Sequence, residues 1–107
     1  MGADELGRRR GVYKVPGGKL VAVEFSIRDD FLHGVVVTGD FFLYPEEALP
    51  VLAFAIEGTP VSMSQTDLTA RISNAIPGNV DLVGVSPEAL AIAVERGLHP
   101  TEPDDSA

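Results

Sequence analysis

A small α+β domain is the fold class this sequence predicts: a three-stranded antiparallel sheet with helices packed on one face, in two layers. Three observations carry the prediction. Residues 19–38 hold two strand-like runs joined by Asp29-Asp30. The chain beyond residue 45 carries three stretches with helical spacing or helix-start signals. Its 107 residues, 45% of them hydrophobic, suffice for one modest core.

Taken in order, residues 1–10 are polar and aperiodic and are expected to be a flexible leader. Arg8-Arg9-Arg10 within it reads as a solvated run. Gly11 to Val15 is a candidate first strand, broken by Pro16-Gly17-Gly18, whose glycines permit positive φ. In the next run Val21, Val23, Phe25 and Ile27 alternate with Ala22, Glu24, Ser26 and Arg28, as in a strand buried on one face. Asp29-Asp30 suits a tight hairpin turn, because aspartate tolerates left-handed backbone angles and bonds its own main chain. The return limb from Phe31 to Thr38 is rich in β-branched residues, and Gly39-Asp40 closes it.

The helices come next. Ala48, Leu49, Leu52, Ala53 and Ile56 recur at three- and four-residue spacing ahead of Gly58. Pro50 leaves two readings: a helix from Pro45 kinked at Pro50, or a separate turn followed by regular helix near Pro50. Residues 59–63 read as a connector. Ser64 or Thr66 caps a second helix ending near Ala75, with Leu68, Ile72 and Ala75 or Ile76 as its apolar stripe. Val80 to Val85 is a short extended segment containing Gly84. Ser86-Pro87-Glu88 starts a last helix with Leu90, Ala91 and Val94 on one face, and Gly97 is expected to end it. Residues 98–107 are expected to be a disordered tail.

Composition narrows the function classes. The formal net charge of −8 argues against nucleic acid as a partner. No apolar run approaches the ~20 residues of a membrane span, and no signal-peptide pattern opens the chain. Cysteine is absent, which excludes disulfides, thiolate metal ligands and thiol nucleophiles, and fits a cytoplasmic protein. His33 and His99 are far apart in sequence and lack carboxylates at ligand spacing, so no metal site is expected. The adjacent acids Asp29-Asp30 and Glu46-Glu47 suit a turn and a helix start rather than facing catalytic carboxylates. No nucleophile elbow, phosphate loop or dinucleotide fingerprint is present, and no catalytic residue is expected.

Two features stand out against that background. Lys14 and Lys19 bracket the Pro-Gly-Gly turn and suit an anionic ligand or a partner's acidic rim. Phe41-Phe42 follows Gly39-Asp40, and neighbouring residues of an extended segment face opposite ways. One ring is expected in the core and the other as an interface anchor. Lys14, Gly17, Gly18, Lys19, Gly39, Asp40, Phe41 and Phe42 are therefore the candidate interface residues.

Three stretches in fixed order also carry a family resemblance: residues 14–20 (KVPGGKL), 38–46 (TGDFFLYPE) and 83–88 (VGVSPE). Over roughly residues 12–97 the chain resembles the C-terminal accessory domain of lipoate–protein ligases. That domain is fused in many bacteria and is a separate small subunit in some archaea and bacteria. The resemblance implies a sheet-and-helix fold similar to sulfur-transfer and iron–sulfur scaffold proteins of the SufE/NifU type, spanning residues 11–97. It implies a heterodimeric partner, the catalytic large subunit, on which ATP, magnesium and lipoate would bind; this chain alone would bind none of them. The implied role is to enable activation of lipoate to lipoyl-adenylate. The alternative is a stand-alone, non-catalytic adaptor that keeps the fold without a ligase partner.

Overall fold

A computed structural model describes residues 8–17 and 19–99. The predicted α+β class is what it shows, with one addition. Strands β1 (Arg8–Lys14), β2 (Leu20–Arg28) and β3 (Phe31–Gly39) form an antiparallel sheet in the order β1-β2-β3. A second, two-stranded antiparallel sheet pairs β4 (Phe42–Tyr44) with β5 (Asp81–Val83). Helix α1 is Leu49–Ile56, α2 is Gln65–Ala75 and α3 is Pro87–Leu98. The strand β1 starts three residues earlier than expected, so Arg8-Arg9-Arg10 is paired strand rather than a solvated run. The remainder of the expected leader and the tail beyond His99 lie outside the described residues.

Alternation in β2 decides which side of the sheet is covered. Val21, Val23 and Phe25 are fully buried and face α3, which packs on β1 and β2, while α1 packs on β3. The helix α2 packs on both other helices. Asp29 and Asp30 adopt φ of 54° and 71°, the left-handed pair a two-residue primed turn needs. Further along β3 an irregularity follows. Glu24 pairs with Val36 and Ser26 with His33, so Gly34-Val35 oppose Phe25 alone. The Glu57 carboxylate, at the end of α1, accepts from the main-chain N–H of Gly34 (3.0 Å) and of Val35 (2.9 Å). Next to it, Gly58 N donates to Leu32 O and Leu32 N to Thr59 O, so α1 and the edge of β3 are stitched together. Glu57→Ala is expected to lower stability by about 2 kcal/mol in urea denaturation, because two amides lose a charged acceptor.

The helix starts follow the sequence. Ser64 and Ser86 cap α2 and α3, their hydroxyls accepting from Asp67 N and Ala89 N at 3.1 Å. Residues Glu46–Ala48 form a separate 3₁₀ turn after a cis Tyr44–Pro45 bond, and α1 begins at Leu49 with Pro50 in its first turn. That selects the second of the two Pro50 readings. The later start also rotates the buried face: Leu52, Ala55 and Ile56 are buried, while Leu49 is 42% exposed.

Gly97 does not end α3. It lies inside the helix, buried, where an added Cβ would meet Phe25 Cε2 at 2.9 Å. Gly11 of β1 sits opposite it. A Cβ there would overlap the Ala93 carbonyl oxygen and approach Gly97 N to 2.5 Å. The two glycines let helix backbone and strand backbone touch. Arg9 spans the same junction, donating to the carbonyls of Gly97 (3.3 Å) and Leu98 (3.5 Å), and Arg96 lies 5.1 Å from the Tyr13 ring centre.

Candidate functional site

The end of the molecule reached by the β1–β2 turn and by the exit of β3 gathers most of the candidate residues. Val15 N donates to Lys19 O at 2.7 Å, closing the turn, and Asp40 N donates to Leu20 O at 2.9 Å, tying the exit of β3 to the start of β2. Gly17 has a φ of 104° in the turn, exposed, with open space around it. Gly18 lies outside the described residues. Gly39 is held tightly. Its φ is 151°, and an added Cβ would overlap Leu20 O and meet Phe41 Cε2 at 2.9 Å. Gly39→Ala is expected to cost about 1–3 kcal/mol and to displace Phe41, read as a lower denaturation midpoint with shifted Phe41 ring resonances.

The two lysines do not converge. Lys14 pairs with Leu20 and so belongs to the sheet face away from α3. The stem of Lys19 runs instead over Gly84, 3.1 Å from where a Cβ would stand, beside Phe41. A single anion bracketed by both side chains is therefore not what the turn builds.

The phenylalanine pair splits as alternation requires. Phe41 packs against the core, partly buried, and Phe42 is 56% exposed. Pairing in the small sheet then enlarges the exposed side. Phe42 lies opposite Val83, and Tyr44 two residues on shares the Phe42 face, while Leu43 turns inward to the core. Tyr44, Val83 and Leu49 join Phe42 as exposed apolar groups. Beside Phe42 and Leu49 runs a groove of about 390 Å³ lined by Val37, Thr38, Gly39, Phe41, Leu43 and the carboxylate-bearing Glu46. Chemically this is a place for a partner's apolar side chain, with one acid at hand for a donor. Tyr44, Val83, Leu49 and Glu46 were not among the sequence candidates; the Phe42–Tyr44 spacing of two was the available signal for the first.

Elsewhere the chemistry is sparse. Among the described residues no three His, Cys, Asp or Glu side chains gather as a metal site. His33 Nδ1 lies 3.7 Å from Glu57, and His99 Nε2 lies 3.8 Å from Glu95 one helical turn away. Phe54, 80% exposed on α1, lines a separate shallow hollow with Ala70 and Arg71 of α2. No helix of the described chain is long and apolar enough to cross a membrane.

No protein-family model and no curated protein matches the sequence. A solved chain from an archaeal lipoylation system, comprising a bi-partite lipoate protein ligase and its E2 lipoyl domain from Thermoplasma acidophilum, has a similar fold. The TM-score is 0.62 at 20% sequence identity, over 86% of this chain and 94% of that one. The fold thus resembles that of a component of a lipoylation system.

Proposed function

We propose that this chain is the accessory subunit of a two-part lipoate–protein ligase, docking on a catalytic large subunit and enabling it to form lipoyl-adenylate. The observation that carries the reading is the exposed Phe42–Tyr44–Val83 face beside an apolar groove, at the end of a fold shared with a lipoylation component. In this account the chain performs no bond-making. ATP, magnesium and lipoate bind to the large subunit, and this chain contributes shape: Phe42 enters the partner, Phe41 and Gly39 hold its strand, and the Pro16–Lys19 turn lies alongside. Docking restricts loops near the adenylation pocket, which lowers the entropic cost of reaching the activation geometry.

Titration of the chain with the ligase catalytic subunit of the same organism tests the association. A one-to-one complex with a heat-capacity decrease on binding, the mark of apolar burial, is the expected result. Absence of a complex would leave the fold as a stand-alone adaptor and end the ligase reading.

A further inference from the structure

The face of the three-stranded sheet turned away from α3 is unlike the rest of the molecule. Strand alternation puts Arg8, Arg10, Val12 and Lys14 of β1 on it, with Leu20, Ala22, Glu24, Ser26 and Arg28 of β2. From β3 come Phe31, His33, Val36 and Thr38. Side-chain contacts agree with the register: Arg8 donates to Ser26 Oγ (3.5 Å) and Arg10 to Glu24 (3.3 Å), both across paired residues.

The chain has eight Lys and Arg against sixteen Asp and Glu, yet this face holds four of the eight cations and one acid, Glu24. Asp29-Asp30 and Asp40 stand at its two ends, and Glu57 reaches the β3 edge beside His33. Along β1, Arg8, Arg10 and Lys14 follow one another on the same side of one edge strand. Beside the cations lie exposed apolar groups: Leu20 is 37%, Phe31 43% and Val36 44% exposed, while the small Ala22 among them is buried.

We infer that this sheet face is a second docking surface, one that takes an acidic, partly apolar segment of a protein partner. Charge complementarity selects the occupant: carboxylates meet Arg8, Arg10 and Lys14 while alternate apolar side chains lie on Val12, Leu20 and Val36. Nucleic acid is the poorer match, since the rest of the surface is strongly acidic and repels a polyanion. The surface borders the Phe42 end at Thr38, which also lines the groove there, and its test does not depend on the ligase reading.

The probe is a fluorescein-labelled alternating glutamate–valine oligopeptide, followed by anisotropy with the full chain. Binding that weakens as salt rises is expected, with about a tenfold loss in R8Q/R10Q. Q65E/T66E makes the same change in net charge at two exposed positions in the first turn of α2, and is expected to lose less than about twofold. R8K/R10K, which keeps both charges, retains binding and guards against an effect of misfolding. The inference is overturned by any of three results: no binding by the parent chain, equal losses in R8Q/R10Q and Q65E/T66E, or a short DNA duplex that displaces the peptide more readily than unlabelled peptide does.

Discussion

The Phe42→Asp chain is expected to unfold within about 1 kcal/mol of the parent while binding the ligase catalytic subunit at least about thirtyfold more weakly. The two halves of that expectation come from one observation, that more than half of the Phe42 surface is already in water. Losing the ring removes little from the fold, because Leu43 and Phe41 supply the inward contacts on either side. At an interface the same ring would bury its exposed part against a partner, worth about 1–2 kcal/mol, and the new carboxylate adds a desolvation cost. Phe41→Ala gives the opposite pattern. It removes a ring packed against the core, so its loss appears in denaturation before it appears in binding. If Phe42→Asp binds as the parent does, the small-sheet face is not the docking end.

Gly11→Ala is expected to remove about 3 kcal/mol or more, a large share of the roughly 5–15 kcal/mol that a domain of this size commands. A methyl group at this position would overlap the Ala93 carbonyl oxygen, which belongs to helix backbone and cannot rotate aside. The strand β1 and the helix α3 must then separate, exposing Phe25 and loosening Gly97, which packs on the same ring. Val12→Ala, one residue along and on the uncovered face, supplies the comparison at about 1 kcal/mol. Urea denaturation of the two variants decides whether close backbone approach, rather than the general need for a strand there, accounts for the glycine.

Local chemistry made the hairpin and the helix starts readable. Alternation from Val21 to Ile27, the left-handed tolerance of Asp29-Asp30, and the Ser64 and Ser86 caps each act within a few residues, so the pattern and the cause lie together in the chain. What was not readable depends on distant pairing. Strands β4 and β5 have three residues each and are strands because Phe42 finds Val83 some forty positions away. Gly97 looked like a helix stop because sequence cannot distinguish a glycine that ends a helix from one that admits a neighbour's ring. The same limit hid the touching backbones at Gly11 and the β3 irregularity answered by Glu57. In the site, alternation separated Phe41 from Phe42 correctly. Lys14 and Lys19 were grouped by nearness in sequence, but register turns Lys14 away from α3 while the Lys19 stem runs over Gly84.

The most direct test of the central claim is the rate of lipoyl-adenylate formation by the ligase catalytic subunit, with ATP, magnesium and lipoate, in the presence and absence of this chain. A subunit that completes its partner by contact alone predicts negligible adenylate from either protein singly and rapid formation from an equimolar mixture, lost again with Phe42→Asp. Equal rates with and without the chain, or adenylate made by the chain unaided, would contradict it.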